Sequence, residues 1–189
     1  SSTKYLGGHS DIVGGSIVIK DNKEYAEKIS FIQNAVGAVP SPFDCYLLTR
    51  SIKTLSVRMK QHNENAIAVS NYLSNHSKIE KVFFPGNDKR HKEIAEKQMD
   101  GFGGMMSFVI DSDINGVKTF LKNLNLFTLA ESLGGVESLI EHPAIMTHAS
   151  IDPSIREKLG ISETLLRISV GIEDVDDLIS DLDQALSKI

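Results

Sequence analysis

The sequence predicts an α/β protein. Segments typical of strands alternate with segments typical of helices from residue 79 to the C-terminal end. No internal repeat interrupts that order, and 189 residues are enough to bury a substantial core. We therefore expect one domain, or one domain and part of another.

In the first part of the chain, an apolar run at residues 12–19 predicts a short strand, although Gly14 and Gly15 weaken it. Capping-box spacing at residues 21–24 predicts a helix over about 22–36. Ser41 before Pro42 reads as an N-cap followed by proline at the first helical position. No glycine or proline follows until after Leu73, which predicts a long helix, bent or split near residues 54–58.

The second part of the chain carries the alternating pattern. Pro85-Gly86 closes one strand, and we interpret the glycine-rich residues 101–104 as a turn rather than a phosphate loop. Asp152-Pro153 and Gly160 predict the start and the end of a short helix over residues 152–160. The predicted strands are 79–84, 105–110, 126–130 and 164–173, and the other helices are 87–99, 113–123 and 174–188.

Composition excludes several classes of function. A net charge of −5 offers no basic field for nucleic acid or for a membrane surface, and no apolar run reaches transmembrane length. The six histidines lack the spacing of metal ligands, so we expect no metal site. The single cysteine, Cys45, excludes an internal disulfide and fits a reducing, cytoplasmic location. We expect Cys45 to be a buried packing residue rather than a nucleophile.

Residues 1–11 hold a candidate covalent catalyst. Lys4 follows two serines and a threonine and precedes paired glycines. Burial and nearby positive charge lower the pKa of a lysine and make it a Schiff-base nucleophile toward a carbonyl cofactor. The hydroxyls of Ser1 and Thr3 could then bind phosphate oxygens. A plain surface loop has the same composition, so the residues alone leave both interpretations open.

Arg167 is the second candidate, because it is the charged residue inside an otherwise apolar strand. A buried guanidinium needs a carboxylate partner. That partner could be structural, such as Glu131 or Glu173, or it could be the α-carboxylate of an amino-acid substrate. Glu131 and Ser132 follow a predicted strand end, where ligand groups gather in α/β folds. Without further information, Glu131 would be interpreted as a surface carboxylate and Ser132 as a turn residue.

The order of residues at five places resembles one enzyme family. S-x-T-K-Y-x-x-G-H-S-D at residues 1–11 resembles the cofactor-lysine segment of the pyridoxal-phosphate-dependent enzymes of Cys/Met metabolism. Similar stretches extend the resemblance towards both ends of the chain: P-S-P-x-D-C-Y-L, L-A-E-S-L-G-G, P-A-x-M-T-H and L-x-R-x-S-V-G-x-E-D.

The resemblance implies a cofactor and a set of site residues. Pyridoxal phosphate would be covalent on Lys4, with Ser1 and Thr3 as further cofactor-binding residues, and Glu131, Ser132 and Arg167 would bind an amino-acid substrate. Thr147 and His148 would be structural, holding their loop beneath the substrate site by hydrogen bonds.

The resemblance also implies a domain arrangement. Residues 1–57 would end a large cofactor-binding domain of the fold type I, aminotransferase-like class, and residues 58–189 would form a smaller C-terminal α/β domain. The N-terminal half of the enzyme would be missing from this chain, and the whole enzyme would be a homotetramer.

The implied reaction is cleavage of L-cystathionine to cysteine, 2-oxobutanoate and ammonia, with release of hydrogen sulfide as a side activity. The P-S-P-x-D-C-Y-L stretch favours this γ-elimination, and Glu131 argues against a β-lyase. One alternative is γ-replacement on an activated homoserine, the cystathionine gamma-synthase reaction. Another, from a different class, is a non-catalytic α/β module that binds a partner through its long helix.

Overall fold

The structure is a computed structural model that describes the backbone of residues 1–189 and every side chain except that of Arg90. Its contacts divide the chain into two compact units, unit 1 (Ser1–Leu55) and unit 2 (Ser56–Ile189). The division lies close to the predicted boundary at residue 57. That the first unit ends a larger domain stays a prediction.

Unit 1 contains a turn around Lys4 and two helices, α1 (Lys23–Val36) and α2 (Pro42–Ile52). The Asn22 side chain caps α1 by accepting a hydrogen bond from the Tyr25 amide, and Gly37 ends the helix with φ of 74°. Ser41 caps α2 by accepting from the Asp44 amide at 3.1 Å, with Pro42 at the first turn. Both predicted helix starts are confirmed.

The long helix predicted from Pro42 to Leu73 is two helices. After α2 ends at Ile52, a short turn leads to α3 (Leu55–Ser74). The amides of Lys53 and Thr54 bond back to the carbonyls of Arg50 and Ser51, which tightens the end of α2 and redirects the chain. The break therefore falls at the N-terminal edge of the region where a bend was predicted.

Two predictions for unit 1 are wrong. Residues 12–19 form no strand, and Val13 and Val18 are 84% and 92% exposed. A strand needs a neighbour to pair with its backbone, and no segment among the described residues pairs with this one. Cys45, predicted to be buried, is exposed, because α1 and α2 bury almost no side chains against each other.

Unit 2 contains a five-stranded mixed sheet in the order β1-β2-β5-β4-β3. The β3–β4 pair is parallel and the other pairs are antiparallel, which confirms the α/β class with a largely antiparallel sheet. The strands are β1 (Ile79–Phe83), β2 (Met105–Ile110), β3 (Thr128–Leu129), β4 (Leu139–Glu141) and β5 (Leu165–Ser169). The helices besides α3 are α4 (Lys89–Gln98), α5 (Ile114–Lys122), α6 (Pro153–Lys158) and α7 (Val175–Leu186).

The core of unit 2 lies between one face of the sheet and helices α3, α5 and α7. Met106, Ile168 and Ile140 stand opposite one another on β2, β5 and β4, and each is at most 3% exposed. Phe108 of β2 meets Phe120 of α5 edge to face, with ring centroids 6.2 Å apart. Because side chains alternate along a strand, the residues next to these point to the other face.

That other face carries a polar row made of Ser107, Arg167 and Glu141. Ser107 pairs with Arg167 across β2 and β5, and Arg167 pairs with Glu141 across β5 and β4. The predicted strands at 79–84, 105–110 and 164–173 are confirmed, the last in shortened form. The strand at 126–130 has two residues, and β4 was not predicted at all.

Candidate active site

The turn that carries Lys4 is held closed by backbone hydrogen bonds. The Gly7 amide donates to the Ser2 carbonyl at 2.8 Å, and the Gly8 amide donates to the Lys4 carbonyl at 2.7 Å. A Cβ at Gly7 would lie 2.8 Å from both the Ile12 side chain and the Ser2 carbonyl. Only glycine fits at that position, so the paired glycines fix the shape of the turn on which Lys4 sits.

The three cofactor-binding candidates of this turn differ in their surroundings. Lys4 is half-buried, and its amine has no hydrogen-bond or ion-pair partner among the described residues. Ser1 is exposed, and its hydroxyl likewise has no partner there. The Thr3 hydroxyl accepts from the Gly14 amide at 3.0 Å and faces the Gly14 carbonyl at 3.3 Å. Since a hydroxyl has one proton, Thr3 would have to release this carbonyl to donate to a phosphate.

Arg167 lies on β5 and is held through one nitrogen. Its Nη2 donates to the Glu131 carbonyl at 2.8 Å and forms an ion pair with the Glu141 carboxylate. The Ser132 carbonyl lies 3.5 Å from the same nitrogen. The Arg167 side chain is 26% exposed, whereas that of Glu141 is 1% exposed. The guanidinium is therefore anchored at the protein side and open at the solvent side.

The sequence predicted a carboxylate partner for Arg167. The two structural candidates suggested for that partner, Glu131 and Glu173, do not pair with it. Glu131 contributes its backbone carbonyl, while its side chain is exposed. The Glu173 carboxylate accepts from the amide and the hydroxyl of Ser138 at 2.6 and 2.9 Å. Glu141 is the partner because it stands directly opposite Arg167 on a strand that no sequence pattern revealed.

The contacts of Arg167 leave much of its donor capacity unused. A guanidinium has five N–H groups. All contacts of Arg167 to described residues go through Nη2, so the N–H groups of Nη1 and Nε have no partner there. Because the guanidinium is planar and is held only at Nη2, its remaining N–H groups can bind a carboxylate by two parallel hydrogen bonds.

The loop that carries Glu131 and Ser132 is fastened to β5 next to Arg167. The Gly134 amide, at φ of 77°, donates to the Ser169 hydroxyl at 2.8 Å. This bond keeps the preceding carbonyls beside the guanidinium, while the Ser132 hydroxyl stays exposed. The structure thus brings the three substrate-binding candidates together in unit 2, and Ser1, Thr3 and Lys4 together in unit 1. That the two groups share one ligand stays a prediction.

Two buried histidines of unit 2 were not singled out from the sequence. The Nδ1 of His62 lies 2.7 Å from the Val170 carbonyl, and the Nε2 of His142 lies 2.8 Å from the Glu163 carbonyl. Burial lowers the pKa of both rings, more than the carbonyl bonds raise it. Both rings are fully buried, so they are structural groups.

The sequence as a whole matches the family described as Cys/Met metabolism PLP-dependent enzyme over residues 1–187. The chain belongs to this family. It is 54% identical over 190 residues to a cystathionine gamma-lyase of Dictyostelium discoideum, covering 100% of this chain and 49% of the relative. It is 53% identical to a cystathionine beta-lyase of Coxiella burnetii, covering 98% of this chain and 48% of the relative.

Solved structures of the same family share the fold. A cystathionine gamma synthase from Xanthomonas oryzae pv. oryzae, solved in complex with cystathionine, matches with a TM-score of 0.93 and 46% identity. The match covers 100% of this chain and 49% of that one. The resemblance and the fold class are confirmed. The chain spans about half the length of the curated relatives it matches.

Membership of this family implies pyridoxal phosphate, and the residues of the lysine turn fit it. The Lys4 amine and the Ser1 hydroxyl are the donor groups that the aldehyde and the phosphate of the cofactor require, and neither has a partner among the described residues. No group of three metal-ligating side chains occurs in the part of the chain that the structure describes. None of the helices described is long and apolar enough to cross a membrane.

Proposed function

We propose that the full-length protein that carries this chain cleaves L-cystathionine with the aid of pyridoxal phosphate bound covalently to Lys4. The observation that supports this most strongly is the half-buried Lys4 amine, unpaired among the described residues, in a turn where close packing leaves room only for glycine at Gly7. The family match includes this turn. Gamma-elimination would release cysteine, 2-oxobutanoate and ammonia.

The residues of this chain divide the work. Lys4 would hold the cofactor covalently, and its amine would also move protons at the substrate carbons as a general base and acid. Arg167 orients the substrate by binding its α-carboxylate through Nη1 and Nε. Ser132 and Glu131 border the same place and would contact the rest of the substrate. The cofactor supplies an electron sink that makes these proton transfers feasible.

The choice among related reactions depends on which bond breaks. Relatives named gamma-lyase and beta-lyase are 54% and 53% identical to this chain, so identity does not separate them. A gamma synthase has the same fold. We favour γ-elimination because P-S-P-x-D-C-Y-L at residues 40–47 resembles gamma-lyases and because Glu131 occupies the loop beside Arg167. Gamma-replacement is the second candidate.

The test supplies L-cystathionine alone to the full-length protein loaded with pyridoxal phosphate. Cleavage of the Cγ–S bond yields cysteine and 2-oxobutanoate, whereas cleavage of the Cβ–S bond yields homocysteine and pyruvate. A second assay supplies cysteine and an activated homoserine, and formation of cystathionine there, with no cleavage in the first assay, would instead favour the synthase. A protein that stays colourless after addition of the cofactor would favour a non-catalytic binding module. Lys4→Ala is the matched control and should abolish the visible band.

Three further properties follow from the family resemblance and remain proposals. The whole enzyme is proposed to be a homotetramer in the cytoplasm, where one unpaired cysteine remains reduced. Sedimentation of the full-length protein tests the tetramer. Hydrogen sulfide release from cysteine is proposed as a side activity, and a sulfide electrode would detect it.

A further inference from the structure

We propose that Glu141 is a positioning residue that aims the Arg167 guanidinium at the substrate α-carboxylate. The inference rests on the proposed role of Arg167 in binding an amino acid. It concerns a residue that the sequence did not single out.

The placement of Glu141 supports this role. It stands opposite Arg167 on the neighbouring strand, on the sheet face away from the helices, and its side chain is 1% exposed. A buried carboxylate without a cationic partner destabilises the folded protein, so Glu141 favours conformations in which Arg167 stays next to it. The pair therefore fixes the direction of the Arg167 side chain at one end.

Both oxygens of the Glu141 carboxylate are engaged. Oε2 pairs with Nη2 of Arg167, and Oε1 accepts a hydrogen bond from the Thr147 hydroxyl. The Thr147 oxygen also lies 2.8 Å from Nδ1 of His148. Because the Thr147 proton points to Glu141, Nδ1 of His148 must carry the proton of this second bond. The carboxylate is thus contacted at both oxygens, by the arginine at Oε2 and by the Thr147 hydroxyl at Oε1.

The consequence concerns the free side of the guanidinium. The Glu141 carboxylate, by its ion pair, and the carbonyls of Glu131 and Ser132, by hydrogen bonds, all contact Nη2, which leaves Nη1 and Nε for a ligand. A substrate carboxylate can then bind without displacing Glu141. If the Glu141 charge is removed, Nη2 loses its strongest partner and the guanidinium is free to turn, so the geometry of the two-pronged contact is lost.

The experiment compares ligands with and without a carboxylate on the full-length, cofactor-loaded protein. The ligands are L-2-aminobutyrate, which has no leaving group, and its carboxamide, and their dissociation constants are measured by calorimetry. Glu141→Gln keeps the size and an acceptor but removes the charge. It should raise the dissociation constant of the acid roughly tenfold or more. The value for the amide should change by less than about twofold.

Two further variants separate positioning from general damage to the fold. Thr147→Val removes the hydroxyl that fixes Oε1, at an exposed position, and should weaken binding of the acid alone by a smaller factor. Glu173→Gln alters a carboxylate that binds Ser138 instead of Arg167, so it should affect acid and amide equally. In an Arg167→Ala background, Glu141→Gln should add no further loss of affinity for the acid.

The outcomes are distinguishable. Equal effects of Glu141→Gln on acid and amide would overturn the positioning role, as would additive effects with Arg167→Ala. If Glu141→Gln does not fold, Thr147→Val decides, and equal effects on the two ligands would overturn the proposal. If Arg167→Ala itself leaves the affinity for the acid unchanged, the proposed function of Arg167 fails instead.

Discussion

A substrate-binding arginine on a sheet has two requirements that usually conflict, namely access for the ligand and a fixed position. A guanidinium that binds a substrate must be open to it, and a guanidinium on a sheet must be held in place. Here Nη2 meets the second requirement through Glu141 and the Glu131 carbonyl, and Nη1 and Nε, which have no partner among the described residues, are the groups proposed to bind the substrate. The need for a carboxylate was predictable from the sequence, because a charge in an apolar strand requires one. Its identity was not, because it depends on the register between β4 and β5.

Replacing Arg167 by lysine tests whether shape matters beyond charge. An ammonium is a point charge that cannot offer two parallel donors to a carboxylate. We expect Arg167→Lys to raise the KM for L-cystathionine by about 10-fold to 100-fold, since a charge-assisted hydrogen bond contributes about 1.5–3 kcal/mol. Steady-state kinetics of the full-length protein measures this. An unchanged KM would show that the substrate carboxylate binds elsewhere.

Among the helices and strands, features set by residues close in the sequence could be predicted, whereas features set by pairing between distant segments could not. The caps of α1 and α2 were predicted because each depends on residues within one turn. The strand β4 has only three residues, which is too few to show an alternating pattern in the sequence. It is a strand because it pairs with β5 and β3. Residues 12–19 have the composition of a strand, yet without a pairing neighbour among the described residues they remain irregular.

The link between α7 and the loop before β3 depends on Asp181. Its carboxylate accepts hydrogen bonds from the backbone amides of Asn125, Leu126 and Phe127 at 2.8–3.2 Å. Burial raises the pKa of Asp181, but these bonds outweigh burial and bring the pKa below its ordinary value of 3.8.

We expect Asp181→Asn to destabilise the protein by about 1–3 kcal/mol, because the amide group is a weaker acceptor than the carboxylate. Urea unfolding at neutral pH measures the loss. In the parent protein the contribution of Asp181 is present above pH 3.8 and is lost as the pH falls through the lowered folded-state pKa. Asp177→Asn, exposed on the same helix, is the control. Equal stability of the two variants would contradict the role of Asp181.

At the scale of the whole molecule, the two units differ in how much they bury. Unit 2 has a continuous core, whereas α1 buries none of its residues and leaves Phe31 71% exposed. An exposed apolar surface of this kind favours association in an isolated chain. Experiments on function therefore need the full-length protein. Residue types in the sequence suggested Lys4 and Arg167 as candidates, but a sequence pattern cannot show whether the two bind one ligand, which remains a proposal.

Global stability should depend on the two buried histidines. The folded-state pKa values of His62 and His142 lie below the ordinary value of 6.5. As the pH falls below 6.5, these histidines therefore bind protons more readily in the unfolded chain than in the folded one. Stability should decline as the pH falls from about 6.5 towards those lowered values. Thermal unfolding between pH 5 and 8 should show this slope. His142→Gln should reduce it, and an unchanged slope would show that His142 does not contribute.

The proposed bond between Lys4 and the cofactor can be tested chemically. The full-length protein is loaded with pyridoxal phosphate, reduced with borohydride, digested and analysed by peptide mass spectrometry. We expect a reduced pyridoxyl adduct on Lys4, together with loss of the visible band. An adduct on a different lysine, or none at all, would contradict it.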